Sequence, residues 1–102
     1  MINTGLATFQ ADVIDSAEPV IVDFYSDSCP PCKRLLPLLE SMESEGLAKI
    51  VKLRIEDEQD LAVHYGISVL PTLILFKNGK PIKQLVGVQS KANIIKFYNE
   101  AA

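Results

Sequence analysis

Tryptophan is missing from this chain, histidine occurs once, cysteine occurs twice, and no basic run appears anywhere in its 102 positions. Each shortage removes a class of function. Structural zinc normally takes four ligands in a tetrahedron. Cys29, Cys32 and His64 supply three, on two different predicted helices, so no metal is expected unless a second copy completes the set. His64 has no second Cys or His at metal spacing and is read as a partly exposed helix residue. With a net charge of -3 and few aromatics there is no footprint for a phosphate backbone, and nucleic acid is not an expected partner. The longest apolar stretches, such as Leu73 to Phe76, fall far short of the roughly 20 residues that cross a bilayer. The opening Met1-Ile2-Asn3-Thr4 carries neither the basic nor the apolar part of a secretory signal. The expectation is a cytoplasmic protein without membrane contact, and no motif requires a cofactor.

What is present has the balance of a folded domain. Apolar residues make up 48% of the chain and charged residues 23%, with no linker and no internal repeat, so residues 1–102 are expected to form a single domain, as a monomer. The periodicity gives the order β-α-β-α-β-α-β-β-α. Met1 to Thr4 reads as a first strand. Leu6, Phe9, Val13 and Ile14 recur at helical spacing, which predicts an amphipathic helix over Gly5 to Ser16. The run "PVIVDFY" is short and β-branched, as suits a central strand covered on both faces. A helix follows over Cys29 to Glu45, kinked at Pro37 and capped by Gly46. Ala48 to Glu56 reads as a strand. The acidic run that begins "EDE" reads as the solvated start of a short helix stopped by Gly66. Asn78-Gly79 is a strong hairpin signal between two antiparallel strands, and Ser90 caps a last helix from Lys91 to about Glu100 that buries Ile94, Ile95, Phe97 and Tyr98.

Both cysteines sit in "SCPPCK", separated by two prolines. A staple, half of a metal site and a redox couple are the three readings. As a staple, a disulfide closing about four residues restricts the unfolded chain by only about 2 kcal/mol. The metal reading fails on ligand count. The redox reading uses every local feature, because Cys29 stands at a helix N-terminus, where the macrodipole and unpaired N–H groups favour thiolate. Cys32, one turn further in, is close enough to close a disulfide with it and is expected to be less exposed. Lowering a thiol pKa from about 8.5 to about 7 requires about 2 kcal/mol, and the dipole supplies about 0.3 to 1 of this, so direct N–H bonds to sulfur must supply the rest. Pro30 and Pro31 fall where helical N–H groups lack partners anyway.

The segments "VIVDFYSDSCPPCK", "VKLRIEDE", "YGISVLPTLILFKNGK" and "LVGVQSK", in this order and spacing, resemble the thioredoxin family over nearly the whole chain. The resemblance implies an α/β thioredoxin fold with a central mixed sheet of about five strands flanked by about four helices. It implies a thiol:disulfide oxidoreductase in which Cys29 attacks a protein disulfide and Cys32 releases the reduced product. The family's buried acid falls on Asp23 and its partner lysine on Lys52. The cis-proline that faces the disulfide falls on Pro71, between Leu70 and Thr72, and the glycine that leaves room for a bound peptide falls on Gly87. Ser28, Pro30, Pro31, Leu70, Pro71 and Gly87 then form the substrate-binding rim. The implied partners are protein disulfides and a thioredoxin reductase-like electron donor.

Some of these positions have reasons of their own. An acid inside "VIVDFY" is costly to ionise, so the Asp23 pKa is expected to rise toward a range useful for passing a proton; the alternative is a structural Asp paired with Lys52. Gly87 inside a strand points to close backbone approach or to a bulge. The sequence departs from the family's pattern at Ser28, where a tryptophan is usual, at Pro30, where a glycine is usual, and at Tyr25, which fills the earlier aromatic position. The reading is a reductant of protein disulfides. A disulfide oxidase or isomerase of the same fold and a non-catalytic interaction module are the alternatives.

Overall fold

In the computed structural model, which describes residues 1–101, the β-branched run becomes β2 (Val20–Tyr25), the middle strand of a five-stranded sheet. β1 (Ile2–Asn3) lies at one edge beside β3 (Ile50–Arg54), and β4 (Thr72–Lys77) and β5 (Lys80–Val86) complete the order β1-β3-β2-β4-β5. β1 and β2 run parallel to β3, whereas β4 is antiparallel to both β2 and β5, so the sheet is mixed. Side chains alternate across a strand. Val20, Val22 and Phe24 therefore point to one face, where they pack in one cluster with Phe9, Val13 and the neighbouring strand's Phe76. Ile21 points to the other face, against Leu35, Leu39, Ile94 and Phe97 of the flanking helices. Asp23 shares the parity of Ile21, and this places the only acid of β2 on the helix-covered side.

Three α-helices follow from the expected signals. α1 (Pro30–Ser44) runs on through Pro37, flanked by Cys29 and Glu45 as its caps. α2 (Gln59–His64) ends before Gly66, and α3 (Lys91–Asn99) starts from Ser90, whose hydroxyl accepts the Asn93 N–H at 3.1 Å. α3 buries Ile94 and Phe97, with Ile95 and Tyr98 packed partly against the core. The hairpin turn is carried by Asn78 and Gly79, both at positive φ (53° and 78°), as a two-residue turn matched to strand twist requires.

The first helix departs from expectation. Only Gln10–Ile14 is helical, as a π-turn closed by the Asp15 N–H on Gln10 O at 2.8 Å. Phe9 and Val13 are buried as their spacing predicts, but Leu6 is 72% exposed. One turn suffices to bury two residues four apart, and Leu6, ahead of that turn, is pinned at the surface by its N–H on Glu58 Oε2 at 2.6 Å. The β3 strand is also shorter than expected, because the chain turns back after the Ile55 N–H reaches Tyr25 O at 2.9 Å.

The end of α1 shows why Gly46 stands where it does. The Leu47 N–H bonds Met42 O and the Gly46 N–H bonds Glu43 O, each at 3.0 Å, the paired bonds that close a helix through a left-handed residue. Gly46 has φ +72°, and a Cβ there would meet none of the described residues within 4 Å, so the preference for glycine is conformational. Gly46→Ala is expected to lower stability by about 1 kcal/mol, read as a shift of the urea midpoint at unchanged slope.

Candidate active site

β2 delivers the chain into a tight turn. The Cys29 N–H bonds Ser26 O at 3.2 Å, and α1 begins at the next residue. Cys29 is extended (φ -107°, ψ 102°), as a helix cap is, and its Sγ accepts the Cys32 N–H at 3.2 Å. Pro30 and Pro31 take the first two helical positions and carry no N–H. The generic expectation of several free donors is thereby corrected: among the described residues, Cys32 supplies the one N–H directed at the Cys29 sulfur. The two cysteines form a disulfide with their Cα atoms 5.3 Å apart. The pair is asymmetric, since Cys32 is 3% exposed while Cys29 remains partly open to solvent.

Asp23 lies behind the inner sulfur. It is 1% exposed, and its Oδ1 has no hydrogen-bond partner among the described residues. A cavity of about 60 Å³ is lined by Asp23, Tyr25, Cys32, Lys33 and Leu36, together with Ser26 and Asp27. This exceeds the roughly 10–15 Å³ that one water needs. Burial pushes the Asp23 pKa up to about 7, against the opposing charge of Lys52. Lys52 stands directly across from Asp23 in the β2–β3 register, yet the two form no ion pair among the described residues. The Lys52 ammonium lies instead 5.7 Å from the centre of the Tyr25 ring. Asp23 is thus not half of a closed ion pair with Lys52 among the described residues, although the Lys52 charge still acts on it.

β4 brings the remaining positions to the same end of the sheet. Thr72 pairs with Phe24 on one side and Val86 on the other, so Pro71 stands at the strand end from which the cysteine turn departs. The Leu70–Pro71 bond is cis, as the resemblance implies, and Pro71 O accepts the Gly87 N–H at 2.8 Å. Gly87 lies one residue beyond β5, not inside a strand, so the bulge reading does not apply to it. The register shift of that strand pair falls instead between Leu75 and Phe76, where Pro81 faces Phe76 on the edge strand. Gly87 has φ +85°, and a Cβ there would meet none of the described residues within 4 Å, so backbone conformation rather than crowding favours glycine.

Two residues in this neighbourhood escaped the sequence reading. Ser26 is buried, and its hydroxyl donates to Glu56 Oε2 at 2.8 Å. By sequence Glu56 falls in an acidic run that a solvated helix start accounts for. Its carboxylate also accepts the Asp27 N–H at 3.1 Å, and the bond from Ser26 holds it below the usual carboxylate range. Partners 30 residues apart leave no local signal beyond an acid soon after a strand.

Two sulfurs that close and open across one helical turn, the outer one reachable and the inner one backed by a buried acid, can exchange electrons with another disulfide. On a mixed five-stranded sheet this arrangement defines a thioredoxin-type dithiol/disulfide oxidoreductase. Comparison with known proteins agrees. Residues 1–100 match the thioredoxin sequence family. Thioredoxin C-2 of Corynebacterium nephridii is 39% identical over 102 residues, covering 98% of this chain and 94% of the relative. A thioredoxin of Rickettsia felis is 35% identical over 101 residues, covering 97% and 96%. A solved mutant thioredoxin of Halobacterium salinarum NRC-1 superposes with a TM-score of 0.89 at 29% identity, covering 99% of this chain and 88% of that one. The chain belongs to the thioredoxin family.

Proposed function

We propose that this protein reduces protein disulfides, with Cys29 as the attacking and Cys32 as the resolving thiol. The Cys29 thiolate attacks one sulfur of a substrate disulfide. A Cys29–substrate bond forms, the substrate bond breaks, and the departing thiolate takes a proton from solvent. Cys32 then gives its proton to Asp23 and attacks the Cys29 sulfur, expelling the second substrate thiolate. Two electrons pass to the substrate, and the chain is left with its own disulfide. Lys52 favours the ionised acid through charge alone, which eases the return of the proton to solvent. Ser28, Pro30 and Pro31 beside Cys29, and Leu70, Pro71 and Gly87 across from them, receive the substrate backbone. A thioredoxin reductase-like donor restores the dithiol, in the reducing cytoplasm where such pairs are kept open.

The observation that carries this reading is the asymmetry of the pair, with Cys29 open and hydrogen-bonded at sulfur and Cys32 buried against the cavity that Asp23 lines. Reduction of insulin by dithiothreitol tests it. The protein is expected to accelerate the reaction catalytically, whereas an interaction module with inert thiols would leave the rate unchanged.

Direction depends on potential. Prolines at the first two helical positions pre-order the helix start, and the Cys32 N–H favours a thiolate over a disulfide sulfur at Cys29. The reduced state gains most. The expected potential lies between the thioredoxin value of about -270 mV and about -230 mV, in the glutaredoxin range. Equilibration with glutathione measures it, and a value well below -270 mV would contradict the argument.

A further inference from the structure

The turn between β2 and α1 is fastened from outside the cysteine pair. We propose that Ser26 and Glu56 are positioning residues that hold Cys29 for its attack, an inference that rests on the redox role above. Asp27, Ser28 and Pro30 are all exposed, so packing contributes little to fixing this turn. Hydrogen bonds hold it instead. The Ser26 hydroxyl oxygen lies 2.8 Å from Glu56 Oε2, 3.0 Å from Ser28 Oγ and 3.2 Å from Ser28 N.

The directions of these bonds can be assigned. A carboxylate only accepts, so the single Ser26 hydroxyl hydrogen goes to Glu56, and Ser28 must donate both its amide and its hydroxyl hydrogen to Ser26 Oγ. The Ser26 hydroxyl is then fully used, and the Ser28 hydroxyl is turned inward with no hydrogen left for a partner. Glu56 Oε2 also takes the Asp27 N–H at 3.1 Å. Arg54 closes the outer side, with Nε on Asp27 Oδ2 at 2.7 Å and a second guanidinium nitrogen 3.7 Å from Glu56 Oε2. The three residues ahead of Cys29 are thus tied to the segment that follows β3. The Ser26 carbonyl completes the link by accepting the Cys29 N–H at 3.2 Å. A free turn would let Cys29 leave the N–H of Cys32, and small misplacements of a reacting group are costly.

The test is alkylation of the fully reduced protein by iodoacetamide, a probe too small to need docking, run beside insulin reduction. Ser26→Ala and Glu56→Ala are each expected to slow Cys29 alkylation by about tenfold and to lower kcat for insulin by a similar factor, with KM little changed. Ser26→Thr keeps the hydroxyl and Glu56→Gln keeps an acceptor oxygen, so both are expected to stay within about twofold of the parent. The double alanine variant should be no slower than the slower single one, because the two residues act through one link. Alkylation unaffected by both alanine variants, losses that multiply in the double variant, or Glu56→Gln as slow as Glu56→Ala would each overturn the proposal. Alkylation reports on Cys29 even if the protein failed to reduce insulin, so failure of the positioning role and failure of the redox reading are separable.

Discussion

Cys32→Ser is expected to capture disulfide substrates and hold them, whereas Cys29→Ser captures none. The argument rests on the different surroundings of the two sulfurs. Cys29 is reachable and receives the Cys32 N–H at sulfur, so on the proposed mechanism it is the thiol expected to meet a substrate first. Once the mixed disulfide has formed, only a second thiol within bonding reach can break it quickly, and Cys32 is that thiol, with its Cα 5.3 Å from that of Cys29. A serine hydroxyl does not attack disulfides at neutral pH. Turnover of insulin is expected to fall by at least about a thousandfold in either variant, equivalent to about 4 kcal/mol of barrier. Non-reducing electrophoresis after mixing with insulin separates them. A covalent adduct that dithiothreitol releases should appear with Cys32→Ser alone, and an adduct with Cys29→Ser instead would reverse the two roles.

Removing the charge of Asp23 is expected to change both activity and stability, in opposite directions. Its carboxyl is buried with one oxygen unpartnered among the described residues, and burial raises its pKa from 3.8 to about 7. Above pH 7 the ionised acid can take the Cys32 proton, and below it the acid is already protonated. The resolving step should therefore speed up as pH rises through about 7 in the parent and lose this dependence in Asp23→Asn. At pH 8 the variant is expected to be slower by about a hundredfold, the lower end of what a positioned base contributes. Alkylation of Cys29 should be nearly unaffected.

The stability effect follows from the same raised pKa. The folded chain keeps the Asp23 proton over the window from 3.8 to about 7, where the unfolded chain has released it. The favourable contribution of the protonated acid is complete below this window, declines across it and is gone above. At about 1.4 kcal/mol per pKa unit the decline is on the order of 4 kcal/mol. Asp23→Asn removes it, so urea titrations at pH 4 and pH 8 should show the parent losing far more stability between them than the variant. Equal losses would mean that Asp23 is not buried as a neutral acid, and turnover unchanged by the substitution between pH 6 and pH 8 would leave it a structural role only.

The glutamate at position 56 marks a limit of local reading. Acids at a helix start are accounted for by the macrodipole, and that account is sufficient until a hydroxyl from 30 residues away arrives at the carboxylate. Leu6 marks another. Its spacing fits a helical face with Phe9 and Val13, but a distant carboxylate holds its backbone N–H at the surface. In both cases the deciding bond joins segments far apart in the chain, and periodicity carries no trace of it.

Patterns short enough to be decided by neighbouring residues were determined by the sequence itself: the strand "VIVDFY", the cysteine pair at a helix start with prolines where N–H groups are dispensable, the Asn78-Gly79 turn and the Ser90 cap. The identity of the chemistry belongs with them, because two thiols three residues apart at a helix N-terminus can close on each other whatever surrounds them. The tertiary structure alone decided that one small cavity is lined by both Asp23 and Cys32, that Lys52 rests near the Tyr25 ring without pairing to Asp23, and that Ser26 and Glu56 brace the turn. Strand order and register bring these groups together, and both are set by how the whole core packs. The reach of a pKa shift or a hydrogen bond is a few ångströms in space, however far apart along the chain its partners lie.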